Sequence, residues 1–261
     1  MDGTVVSAVL QSPAPARPRS PETFRQTLAR LGGAQKGAKG APAYSRFVNR
    51  KAGRLLAALA FHAGLTPNAV TAISAAFSAT GIALLALVAP SWAMGAAVAA
   101  CLVVGYALDS ADGQLARLRG GGSPAGEWLD HMVDAAKASS LHLAVLIGLY
   151  RFADLDSRAW LLVPLGYAVV DAVLYFGTML NDALRAQHGV AIRSRQKGER
   201  PGVVRSLLVL PTDYGLLCCV FVLFGAPTLF LSVYTVLLVA MAGFLALASV
   251  KWFREMGRLP R

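Results

Sequence analysis

From residue 69 to residue 108 the chain carries no charged side chain. One bilayer crossing takes about 20 apolar residues, so a stretch of this length holds two. Pro90-Ser91 divides it into helices over 69–89 and 92–113. Residues 214–250 repeat the pattern, with Gly225-Ala226-Pro227 as the turn between helices over 212–226 and 228–250. Two more apolar stretches, 126–150 and 159–180, lie between these pairs. The pattern predicts an all-α integral membrane protein with six transmembrane helices. Ahead of the first span, residues 41–64 set Phe47, Leu55, Ala58, Leu59 and His62 at helical spacing beside basic residues. This segment reads as an amphipathic helix lying in the interface plane, with an ordinary packed helix as the alternative.

Composition agrees with lipid as the solvent. The chain is 56% hydrophobic and 15% charged, against about a quarter charged in soluble domains. The net charge of +11 does not point to nucleic acid, because the basic residues fall in blocks with little aromatic interleaving and no nucleic-acid-binding motif. The blocks occupy 17–54, Arg117 and Arg119, 185–205, and the residues after 250. Six crossings bring all of them to one side. The opposite loops hold only Arg151 and Arg158, offset by Asp154 and Asp156. Cytoplasmic loops are rich in Lys and Arg, so both termini are expected in the cytoplasm and the protein in the cell membrane. The apolar run 5–10 is shorter than a signal core and follows no basic residue. Residues 1–40 read as a disordered basic cytoplasmic tail, 65–252 as the transmembrane catalytic domain, and 253–261 as a short basic tail. Cys101, Cys218 and Cys219 all lie in apolar runs and read as small buried hydrophobes.

Four carboxylates stand where a membrane makes them expensive. Asp109 and Asp112 end the second span; Asp130 and Asp134 begin the third. Asp109, Asp112, Gly113 and Ala116 share one helical stripe, and Gly126, Asp130 and Asp134 share another at i, i+4 spacing. A short connection lets the two helices pack antiparallel with these stripes facing. Carboxylates brought so close would protonate unless a cation joins them. An oxygen-only donor set, with no Cys or second His in the cluster, favours Mg²⁺ or Mn²⁺ over zinc. Gly113 and Ala116 leave room at the helix surface, and Arg117 offers a planar fork to phosphate oxygens.

The run Asp109-x-x-Asp112-Gly113-x-x-Ala116-Arg117, eight residues, Gly126-x-x-x-Asp130-x-x-x-Asp134 resembles the signature of the CDP-alcohol phosphotransferases at all eight defining positions. The likeness extends over about 44–250. It implies six membrane helices preceded by an interfacial one. It further implies two metal ions held by Asp109, Asp112, Asp130 and Asp134, with Asp134 as general base. Gly113, Ala116, Arg117 and Gly126 would contact the CDP moiety. Ser123 resembles a hydroxyl position near the diphosphate, and Asn68 to Thr71 a segment closing over the nucleotide. The partners implied are a CDP-linked donor, an alcohol acceptor, membrane lipids and a second copy in a homodimer.

A cation- or proton-coupled transporter is the alternative, accounting for the acids but not for Gly113, Ala116, Arg117 and Gly126 at their intervals. A prenyltransferase would need two separated aspartate motifs and more helices, and an inactive scaffold would not need the signature intact. Some residues keep two readings. Lys137 is an ion-pair partner of Asp134 or a contact for acceptor phosphate. Asp171 faces the polar cavity or bonds structurally. His131 reads as a polar neighbour, and the basic loop 185–205 as a topology signal or an acceptor contact through Arg193, Arg195 or Lys197.

Overall fold

The structure, a computed structural model, describes residues 22–33, 42–190 and 212–260. All regular elements among them are helical. α1 covers Phe24–Gly33. A π-helical turn, Ser45–Asn49, leads into α2, Arg50–His62, and then follow α3 (Pro67–Leu87), α4 (Trp92–Leu118) and α5 (Pro124–Phe152). A 3₁₀ turn over Arg158–Leu161 opens α6, Leu162–Gln187. α7 (Tyr214–Val220) runs into a 3₁₀ turn over Phe221–Gly225, and α8 spans Pro227–Met256.

The helix starts are written locally. Thr66, Ser91 and Ser123 accept hydrogen bonds from the backbone N–H of Ala69, Met94 and Gly126 at 3.2, 3.1 and 3.0 Å. Each satisfies a donor that the first helical turn leaves orphaned. Pro67 and Pro124 occupy first-turn positions, where a missing N–H costs nothing. Between α4 and α5, Gly120 and Gly121 take φ of +98° and +135°, which glycine reaches without a Cβ penalty. The chain therefore reverses within five residues, but α4 and α5 do not pack closely on each other as expected: each packs on α3, which leaves a gap between their acidic stripes.

Five helices have the length and apolarity of bilayer spans: α3, α4, α5, α6 with its 3₁₀ opening, and α8. The protein is an all-α membrane protein. The sixth expected span, 212–226, is the shorter apolar helix Tyr214–Gly225, preceded by 191–211, outside the described residues. At ~1.5 Å per residue this piece covers roughly 18 Å, less than the ~30 Å hydrocarbon core. Several expected boundaries shift, among them the end of α6, which runs past 180 to Gln187. α4 continues past 113 through Leu118, so Ala116 and Arg117 stand on the same helix as its acids. α8 runs beyond 252 into the segment read as a tail. α1 stands inside the stretch 1–40 read as disordered.

α1 folds because it has something to fold onto. Leu31 is fully buried in a small cluster with Ala57 and Ala58 of α2, Val70 of α3, and Ala111 and Leu115 of α4. Arg30 donates to the Leu118 carbonyl at 2.8 Å, and Thr27 Oγ1 lies 3.1 Å from His62 Nε2. The larger core joins α3 through α8 around Leu102, Leu141, Phe221, Phe230 and Tyr234. Small residues bring α3 and α4 together: Ser74 donates to the Gly105 carbonyl at 2.8 Å, and a Cβ at Gly105 would lie 2.5 Å from Ser78 Oγ. Close backbone approach of this kind drives helix association where lipid removes the hydrophobic incentive. Val169, Phe176, Val236 and Leu247 face outward, as lipid-facing residues of such a bundle do.

Candidate active site at the α4–α5 junction

The end of α4 and the start of α5 bring the signature acids together. Lys137 Nζ, almost fully buried, lies 2.8 Å from Asp109 Oδ1 and 2.6 Å from Asp134 Oδ1, bridging the two helices. The sequence offered its i, i+3 link to Asp134; its reach across to Asp109 depends on the packing. Thr71 Oγ1 donates to Asp112 Oδ2 at 2.6 Å. α3 thus contributes to the site through a contact with a carboxylate.

A cavity of about 220 Å³ opens beside these acids. Asp109, Asp112, Gly113, Arg117 and Asp130 line it, together with Tyr106, Ser110 and Gln114 of α4. The α4 residues fall at i, i+3, i+4, i+6, i+7, i+8 and i+11 from Tyr106, so extending the acidic stripe by one turn would have found the additional ones. Ser45, Asn49 and Arg50, from the π-helical turn and the start of α2, also line it; nothing local in their sequence marks them. Burial of the Arg50 guanidinium lowers its pKa from the ordinary arginine value. A Cβ at Gly113 would meet only Arg117 Nη1, at 3.5 Å, so this glycine borders open space.

The remaining expected site residues stand around this centre. Asn68 is exposed, and its Oδ1 would lie 2.9 Å from a Cβ at Gly126. Gly126 therefore permits α3 and α5 to begin side by side. The Ser123 hydroxyl caps α5. Ala116 faces the glycine turn, where a Cβ on Gly122 would meet its own at 3.9 Å. Neither Ala116 nor Ser123 lines the cavity. Arg193, Arg195 and Lys197 lie outside the described residues.

The donor set fits a divalent cation. Asp130, His131 and Asp134 each offer one ligand atom, and these atoms lie within 4.8 Å of one another. The Lys137 ammonium between Asp109 and Asp134 shows that the neighbouring carboxylates already share positive charge. His131, read from the sequence as a neighbour, joins this set; the Tyr175 hydroxyl donates to its backbone carbonyl at 2.6 Å, steadying that turn of α5.

Asp171 belongs elsewhere. Its Oδ2 lies 3.4 Å from Nε2 of the fully buried His142, an ion-pair distance without hydrogen-bond geometry. His142 Nδ1 contacts the Tyr234 hydroxyl, and its ring stacks on Tyr167 at 4.1 Å. This polar knot ties α5, α6 and α8 together inside the bundle, in line with the structural reading of Asp171.

A solved structure, "Crystal structure of Mycobacterium tuberculosis phosphatidylinositol phosphate synthase (PgsA1) in complex with manganese and citrate", resembles this chain with a TM-score of 0.47 and 21% identity. The likeness covers 78% of this chain and 88% of that one. A search of curated proteins gave no match. Residues 64–252, which include every signature position, match the family described as CDP-alcohol phosphatidyltransferase, and the chain belongs to that family.

Proposed function

We propose that this membrane protein is a phospholipid-biosynthetic transferase that moves a phosphatidyl or phospho-alcohol group from a CDP-activated donor to an alcohol acceptor. The observation that carries this reading is the convergence of Asp109, Asp112, Asp130, Gly113 and Arg117 on one cavity, with Asp134 tied to it through Lys137. Such a set matches what a diphosphate needs: shared positive charge, space for close approach and a guanidinium fork.

In the mechanism we infer, the donor diphosphate lies along α4. Gly113 leaves room for it, and Arg117 binds phosphate oxygens. Ala116, Gly126, Ser123, Asn68 and Thr71 complete the nucleotide cradle around the meeting ends of α3, α4 and α5. Asp109, Asp112, Asp130 and Asp134 would hold Mg²⁺ or Mn²⁺, two ions, which when bound neutralise the charge of the diphosphate. Asp134 takes the proton of the acceptor hydroxyl. The acceptor oxygen then forms its bond to the phosphorus bearing the transferred group while the bond from that phosphorus to the CMP oxygen breaks in line. Arg117 holds the charge on departing CMP. We place residues 65–252 as the catalytic domain, six spans in the cell membrane, α2 in the interface, site and termini on the cytoplasmic side, and two copies in a homodimer.

The test is purified protein with CDP-diacylglycerol against glycerol phosphate, inositol phosphate, serine and inositol, following CMP and the lipid product by mass. Asp134→Asn is expected to lower turnover by about 10²–10⁴-fold, the range of general-base contributions, with CDP-donor binding retained. Wild-type turnover in the mutant would remove Asp134 as base. Cation uptake into proteoliposomes without CMP release from any donor would favour the transporter instead.

A further inference from the structure

We propose that Arg50, on α2, binds a phosphate group of the substrate together with Arg117, so that the helix ahead of the catalytic domain supplies part of the substrate site. The inference rests on the transferase reading but concerns a residue outside the family match over 64–252 and outside the signature.

Position is the first argument. The start of α2 is fastened to α4 by polar contacts rather than merely lying near it. Asn49 Nδ2 donates to the Tyr106 carbonyl at 3.2 Å, and Gln114 Nε2 donates to the Arg50 carbonyl at 3.3 Å and to Ser110 Oγ at 3.2 Å. Gly53 makes the approach possible: a Cβ there would lie 2.6 Å from Ser110 Oγ and 2.9 Å from Gln114 Nε2. The backbone of Arg50 is thereby held against the helix that carries Asp109 and Asp112, and its side chain lines the same cavity as theirs.

Charge is the second. Two guanidiniums and three carboxylates line this cavity. A divalent cation on the carboxylates leaves the rest of the lining, with Arg50 and Arg117, in positive excess. Half-burial strengthens whatever anion the guanidinium meets, because solvent screens it less. A tetrahedral phosphate presents several oxygens to two forks at once, which a single carboxylate does not.

The phosphate belongs to the donor diphosphate or to a phosphorylated acceptor, and affinity separates the two. Full-length wild type, Arg50→Gln and Arg50→Lys in detergent are titrated with CDP in Mg²⁺ by calorimetry. KM is then measured for inositol phosphate or glycerol phosphate, whichever turns over. If the donor diphosphate is bound, Arg50→Gln weakens CDP at least tenfold, and Arg50→Lys, which keeps charge but loses the fork, falls between. If the phosphate is the acceptor's, CDP affinity holds while acceptor KM rises at least tenfold. Unchanged CDP affinity and unchanged acceptor KM in both variants overturn the proposal. Should Arg50→Gln fail to fold, Arg50→Lys decides alone: a threefold or greater loss in either quantity supports the contact, and wild-type values overturn it. A wild type that binds no CDP with Mg²⁺ present would instead sink the transferase reading.

Discussion

Lys137→Met removes a positive charge from between two acids while keeping the length of the side chain. The Lys137 side chain is 10% exposed, Asp109 20% and Asp134 32%. Breaking a buried pair by deleting one partner costs about 3–5 kcal/mol. Asp134 is one-third open to solvent, which screens its share, so we expect the lower end, about 3 kcal/mol. For a chain of this size that lowers the unfolding midpoint by roughly 6–12 °C, measured in EDTA at pH 8. Cation binding to the folded state reverses the loss: at a hundred times Kd it contributes about 2.7 kcal/mol. In Mg²⁺ the variant should therefore recover most of its midpoint and gain more than wild type does, whose lysine already supplies charge there. Thermal unfolding is followed with a thiol-reactive dye, since Cys218 is fully buried in the core. A variant midpoint in EDTA within about 2 °C of wild type, less than about 1 kcal/mol, would show that Lys137 does not carry the charge of these acids. Equal Mg²⁺ shifts in both proteins would remove the link between lysine and cation.

Three further outcomes follow from the packing. Gly113→Leu fills the cavity without meeting another element and should weaken CDP about 10- to 100-fold, the equivalent of the ~1–3 kcal/mol of overpacking, with an unchanged unfolding midpoint; unchanged affinity would make Gly113 a mere packing residue. Gly105→Leu should instead cost about 1–3 kcal/mol of stability, a fall of roughly 2–12 °C in the midpoint, because its Cβ would sit 2.5 Å from Ser78 Oγ; a wild-type midpoint would mean that α3 and α4 part freely. Arg30→Ala removes the bond to the Leu118 carbonyl and the ion pair with Glu22 at 2.6 Å. With its side chain about half exposed, the arginine should contribute about 1 kcal/mol, seen as roughly fivefold faster amide exchange over 24–33; wild-type exchange would show that Leu31 alone anchors α1.

Local sequence determined the helical, membrane-embedded character of this chain. The charge-free stretches, the caps at Thr66, Ser91 and Ser123 and the glycines at the α4–α5 turn act within a few residues of where they stand. The signature acids were legible for the same reason: helical periodicity alone puts each pair on one stripe, and a short turn brings the stripes to the same end of the bundle, where α3 sets their spacing. Contacts between distant segments were decided only by the tertiary structure. α1 has few apolar residues and becomes a helix because Leu31 finds Ala57, Ala58 and Leu115. Lys137 reaches Asp109 across the gap between α4 and α5, because both helices pack on α3 at that register. His142 meets Asp171 and Tyr234 from three helices whose spacing no single stretch encodes. Arg50 enters the cavity because Gly53 lets α2 lie close on α4. Side-chain pattern specifies an element one turn at a time, whereas a site wall made by two elements exists only once their surfaces have met.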